Sequence, residues 1–341
     1  MIKKLPIGNS KVLTYDYEAY PLTIMEAYGR EHMEWMLSNY IQLSSRKDII
    51  ANKEVFLAFH DDLGLNSPFL KVQHMYWSIL SEYEIEMIDF FKTNIDLGCY
   101  LYLKVDEYFI PNHYAYNRYH YIHDIMVFGY DDKNFIVLGY DDKGRYREMK
   151  VLYDTLVEAF YNNFIDKTEN AWADDIYFIK YKKYNFKFNI NIVKYCLFDY
   201  INSINRLERY KRFSNPIKDV VYGLEVFDKV CEYLNYLKLD KNIFYGGKNI
   251  DNRIFRIIME HKELMLERIE FINKLYGGFG DLYDEYVQIN KIASKTHFIA
   301  IKYQVTKDKK LLNVLLDNVI KIKKMDKEVL SKVYDRLLYL D

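Results

Sequence analysis

Two periodicities divide this chain. Up to about residue 185, apolar and polar positions mostly follow the period of two expected of strands, with helical interruptions. Beyond it they recur at three and four residues. Residues 1–20 read as extended or irregular. Pro21 then opens PLTIMEAYGREHMEWMLSNYIQL, and the pattern predicts a helix over 21–43, with the proline in its first turn. EVFLAFHDDL (54–63) alternates like a strand and runs through Asp61 and Asp62 to a turn at Gly64. Over 71–94, Met75, Ile79, Tyr83, Met87 and Phe90 fall near helical spacing and predict a second helix. GCYLYLKVDEYFIP alternates again, as a strand ended by Pro111, and the aromatic-polar NHYAYNRYH reads as a loop.

The tetrapeptide Gly-Tyr-Asp-Asp then occurs twice, ten residues apart. HDIMVFGY and NFIVLGY are β-rich runs joined by a short Asp-rich connection, and GYDDKGRYREMKVL turns again into a third strand. A meander accounts for the repeat, because Asp hydrogen-bonds its own backbone in turns. Gly129 and Gly139, late in their strands, mark a bulge or a close backbone approach. A helix over 151–164 and a strand over 174–183 follow. The rest is helical, interrupted at Gly246-Gly247 and Gly277-Gly278. The expectation is an α+β domain over 1–185, with an antiparallel sheet and helices 21–43 and 71–94 packed on it. A helical domain over 186–341 follows.

A chain of 341 residues is long enough for two cores, which fits that division. Net charge is −1, so no global field favours nucleic acid or an anionic membrane, and neither is expected as a partner. No stripe of basic and aromatic residues suits a nucleic-acid groove, and no apolar run approaches ~20 residues. Cys99, Cys196 and Cys231 stand far apart with no CxxC, which argues against disulfides or a zinc site and suits the cytoplasm. The 35 tyrosines read as the composition of an A- and T-rich genome.

The candidate chemistry gathers around His123. With a three-residue loop at 131–133, His123 falls opposite Asp141; with a two-residue loop it falls opposite Asp142. Directly opposed side chains lie ~4.5–5.5 Å apart at Cβ, so Asp141 could orient the imidazole as one arm of a nucleophile–His–Asp triad. Asp106, Glu107 and Tyr108 end a strand, where pockets open, and His120 is a second pocket candidate. His113, Tyr114 and Tyr116 could line an aromatic pocket. Cys99 begins a strand whose alternation suggests burial, away from the helix N-terminus or cation that activates a thiol. Cys196 and Cys231 fall on apolar helical faces. EHKELMLER (260–268) pairs charges at i,i+4, as a solvated helix face does, with His261 as a possible interface residue.

Residues 98–160 bring these pieces together in a recognisable order. GCYLYLKVDEYFIP, NHYAYNRYHYIH, DIMVFGYDDKNFIVLGY and a helix ending LVEAF resemble the butirosin biosynthesis protein H N-terminal domain family. The helical half, with EHKELMLERI near its centre, resembles the C-terminal part of relatives found beside nonribosomal peptide synthetase genes. The resemblance implies a papain-like fold of the C39 peptidase type. It also implies a Cys–His–Asp site that moves an acyl group from a carrier-protein thioester to a small-molecule amine, in antibiotic and related biosynthesis. It implies no cofactor and no metal. His123, second of the pair His120 and His123, matches the family's catalytic histidine, and Asp141 lies near its acidic partner. Asp106, Tyr108 and His120 would bind substrate. The family's cysteine begins the first helix. Here that region reads TYDYEAYPLTIM, with Thr14 and Thr23 its only aliphatic hydroxyls and Asp16, Tyr17 and Tyr20 beside them. Two functions follow: acyl transfer without the cysteine, or a non-catalytic protein that binds a carrier protein or synthetase.

Overall fold

The computed structural model describes residues 2–60, 64–76, 79–80, 83, 85–162, 175–205, 219–239 and 249–340. The chain folds into two compact units, residues 1–32 with 64–185 and residues 33–63 with 186–341. The first unit is an α+β structure around a seven-stranded antiparallel sheet, with strands β1 (Lys3–Lys4), β4 (Leu70–Tyr76), β5 (Tyr100–Asp106), β6 (Ile122–Tyr130), β7 (Asn134–Tyr140), β8 (Tyr146–Leu152) and β9 (Asp175–Tyr181). Their order is β4-β9-β5-β6-β7-β8, and β1 pairs with β6. The pleat sends alternate side chains to opposite faces. On one face Tyr20 of α1 (Asp16–Glu26) meets the rings of Tyr102 and Tyr146. On the other, Phe91 of α3 (Met87–Asp96) meets Phe135 and Phe160, the latter on α4 (Tyr153–Tyr161).

Both expected hairpin registers occur, one after the other. Tyr130 and Gly129 pair with Phe135 and Ile136, as the shorter loop requires, and a bulge then moves Val127 and Met126 onto Val137 and Leu138. Gly129 sits at that bulge, where a Cβ would come within 2.6 Å of the Lys3 carbonyl oxygen.

Several expected elements move. The 21–43 helix is two helices: α1 starts earlier, with Pro21 inside it, and α2 spans His32–Asn39. Gly29, at a φ of 124° closed to most side chains, separates them. The 71–94 helix is half strand. Residues 70–76 pair with β9 from Leu70↔Tyr181 to Tyr76↔Asp175; among the described residues after them, Ile79 and Leu80 are helical and α3 starts at Met87. Among the described residues of 54–63, Ala58–Phe59 (β3) are strand; the Asp61-Asp62 turn, like the break at Gly246-Gly247, lies outside the described residues.

The second unit is mainly helical: α2, α5 (Ile190–Ile201), α6 (Val226–Lys238), α7 (Asn252–Tyr276), α8 (Gly280–Thr306) and α9 (Lys310–Leu337). A small sheet joins them, in which β2 (Leu43–Arg46) pairs with β3 and with β10 (Val220–Tyr222). That pairing, together with buried side chains of α7, draws residues 33–63 out of the expected 1–185 domain. Arg268 donates to the carbonyls of Leu37 and Tyr40, and His261 Nε2 donates to that of Ile41, so α7 satisfies the open carbonyl end of α2. EHKELMLER is therefore not a solvated face. Glu260, His261, Lys262 and Arg268 are all buried. Lys262 Nζ lies 2.6 Å from Asp326 Oδ2, donates to Tyr200 and meets His261 Nδ1, while Tyr286 donates to Asp326 Oδ1.

Candidate functional site

The loop from β5 to β6 is built around two carboxylates at the end of β5. Asp106 Oδ1 accepts the backbone N–H groups of Tyr108 and Tyr121, and His120 Nδ1 lies 2.5 Å from Oδ2. The Tyr108 ring stacks on His120, 4.5 Å between centroids. The three residues expected to bind substrate thus meet, and their contacts fold the loop. His113 is buried, whereas Tyr114 and Tyr116 are exposed, so they do not form one enclosed aromatic pocket.

Asp141 does not reach His123. It closes the β7–β8 turn: Oδ1 accepts from the N–H groups of Lys143 and Arg145, and Oδ2 holds the side chains of Arg145 and Arg147. These bonds outweigh the cost of burial and hold its carboxyl down at about 2. The opposition of His123 and Asp141 fails because the β6–β7 ladder ends at Met126↔Leu138, three residues short of His123.

Glu107 takes the place expected of Asp141. Its Oε1 lies 3.1 Å from Nδ1 of His123 and 3.1 Å from Nδ1 of His113. Burial would raise this carboxyl, but the bonds to both histidines hold it down at about 2. The other imidazole nitrogen, Nε2, lies 3.7 Å from Oδ2 of Asp16. Burial alone would lower His123, but the Glu107 hydrogen bond and the charges of Asp16 and Glu107 outweigh it and lift it to about 9. The His123 side chain is 30% exposed, with Tyr121 stacked on it.

Asp16 is the first residue of α1, where the helix dipole favours a negative charge. It is buried, and its Oδ1 has no hydrogen-bond partner. Burial pushes its carboxyl up to about 7 against the pull of the His123 charge. Nearby, Lys104 pairs with Asp124, Tyr102 donates to the same carboxylate, and Tyr20 donates to the Asp124 carbonyl. Three carboxylates, those of Asp16, Glu107 and Asp124, thus lie near His123, and burial makes the charge on Asp16 a costly one.

Sequence reasoning singled out His123 but did not anticipate that Glu107 and Asp16 flank it. The available signal for Asp16 was its place with Glu18 just ahead of an apolar run, the acidic first turn of a helix. Cys99 lies buried at the foot of β5, where burial raises its thiol against the pull of Lys180. Cys196 is buried on α5, and burial pushes the Cys231 thiol to about 11. Thr23 bonds the Tyr146 hydroxyl. Among the described residues, no group of three or more His, Cys, Asp or Glu could hold a metal ion, and no helix is long and apolar enough to cross a membrane.

Fold and site together define an α+β protein whose antiparallel sheet carries an imidazole held between two carboxylates. Comparison with known proteins finds no family model and no curated protein that matches this chain.

Proposed function

We propose that the first unit is a cysteine-peptidase-like scaffold of the butirosin biosynthesis protein H kind, and that the protein serves peptide or polyketide biosynthesis by binding a carrier protein or synthetase without forming an acyl-enzyme. One observation carries this reading: the helix start facing His123 holds Asp16 where such a site needs a thiol. A carboxylate attacking a thioester would give a mixed anhydride, a less stable acyl carrier than the thioester itself. His123, charged up to about pH 9, has no free lone pair at neutral pH to take a proton from an incoming amine.

A second reading has its own support. Asp16 at about 7 is poised as a proton acceptor at neutral pH, as a general base should be. Thioesters are already activated, so positioning and base catalysis alone could drive direct aminolysis. The two readings part in one assay. Carrier domains from neighbouring genes are loaded with an acyl group and mixed with the protein and a panel of amines, and products are followed by intact mass. The accessory reading expects no transfer and equal carrier binding by wild type and His123→Ala. Transfer that disappears in both His123→Ala and Asp16→Asn would replace it with a cysteine-free acyltransferase.

A further inference from the structure

Helix α8 spans Gly280–Thr306, and from Tyr286 to Thr306 it has no Asp or Glu. The stretch carries Lys291, Lys295 and Lys302, all exposed, in a chain whose net charge is −1. The spacing hides them in the sequence, but winding the helix gathers them. At 3.6 residues per turn, Lys291, Lys295, Phe298, Lys302 and Val305 fall within an arc of roughly 80°. Phe298 is 66% exposed and Val305 79%, with Ile301 beside them at 39%. The opposite face, including Tyr286, Ile289, Ala293 and Ala300, is buried.

Several other lysines of this unit are neutralised. Lys323 pairs with Asp228, Lys332 with Glu285, Lys274 with Glu270 and Lys229 with Glu232. Among the described residues Lys291, Lys295 and Lys302 have no ion pair and no side-chain hydrogen bond. A face with apolar anchors seven residues apart, flanked by unneutralised lysines, is the pattern by which one helix selects an acidic second helix.

We propose that this face of α8 is a docking surface for an acidic amphipathic helix of a partner protein, which under the accessory reading above is the carrier protein. The occupant follows from charge and shape. The apolar strip of Phe298, Ile301 and Val305 is too narrow to seat a helix in a bilayer surface, because the broad apolar face of α8 is already buried. It does match the seam of a helix pair, with lysines placed to meet Asp and Glu on either side.

The test uses the full chain and fluorescence anisotropy with a labelled holo carrier domain at low and high salt. Lys291→Glu, Lys295→Glu and Lys302→Glu are combined in one variant; Lys71→Glu, Lys143→Glu and Lys183→Glu, on the first unit, form a control of equal charge. Circular dichroism checks that both fold. The α8 variant is expected to weaken binding roughly 30-fold or more, because like charges would then face each other, while the control binds as wild type does. Phe298→Ser should weaken it about tenfold with little change in salt dependence. Binding that survives the α8 reversal would overturn the surface and leave the accessory reading standing. Wild type that binds no carrier domain would remove both. Binding to phosphatidylserine-containing vesicles or single-stranded RNA in place of the carrier domain, lost in the α8 variant, would reassign the face.

Discussion

The two units each hold a cluster of buried ionisable groups, built from the same residue types and finished differently. In the second unit Lys262, Asp326, Tyr200, Tyr286 and His261 form a closed set. Lys262 and Asp326 are wholly buried, and each named charged atom has a partner. Burial lowers His261 well below its ordinary value, with the Lys262 charge adding to the effect, and Nε2 keeps its proton for the Ile41 carbonyl. In the first unit His123 opens to solvent, Asp16 Oδ1 has no partner, and burial works against the charge on Asp16. A closed network holds helices in place. An open one leaves an atom free to meet something else, which makes it the better candidate for function.

The largest effect belongs to the closed cluster. Asp326→Ala removes the counter-charge of Lys262 and strands two tyrosine hydroxyls, so it should cost about 3–5 kcal/mol in chemical denaturation. His123→Ala should cost far less, since His123 is partly exposed. Equal losses would erase the distinction between a structural and a functional cluster.

Next is the buried charge on Asp16. A carboxyl raised from 3.8 to about 7 carries a penalty absent below pH 3.8 that grows to full size above pH 7. Asp16→Asn should therefore stabilise the protein at pH 8 and make no difference near pH 4. The full shift is discounted because Asn buries an amide where Asp16 Oδ1 already has no partner, leaving a gain of about 1–2 kcal/mol. His123 works in the same direction at higher pH. Its stabilising contribution is complete below 6.5 and is lost as pH rises through about 9. A thermal melt series from pH 4 to pH 10 on wild type and Asp16→Asn separates the two. A variant less stable at pH 8 would mean that the pair with His123 outweighs the burial of Asp16.

The sequence was most legible where structure is local. The Gly-Tyr-Asp-Asp turns could be read because Asp131 and Asp141 each accept their own downstream N–H groups. Residues 71–76 misled because Met75 and Ile79 fit helical spacing as well as the alternation of an edge strand does. The excursion of 33–63 was not legible, since β2 finds β10 across about half the chain. The buried ions of EHKELMLER misled for the same reason. Their partners at Leu37, Ile41 and Asp326 lie far away in sequence, and without them i,i+4 charges read as solvated. At the site His123 could be found, but its partners could not. Glu107 reaches it through a folded loop, and Asp16 through the packing of α1 on the sheet.

The smallest effect tests that reassignment directly. Asp141→Ala removes the hydrogen bonds and ion pairs that Lys143, Arg145 and Arg147 make in the β7–β8 turn. With the two arginines exposed and free to rehydrate, about 1–2 kcal/mol should be lost. The imidazole should not notice. In an NMR titration of its ring protons, His123 in Asp141→Ala should titrate near 9, as in wild type, whereas Glu107→Gln should lower it by more than one pH unit by removing the bond at Nδ1. If Asp141→Ala moved the His123 titration as far as Glu107→Gln does, Asp141 would be an orienting partner after all. The open cluster would then extend into the second Gly-Tyr-Asp-Asp turn.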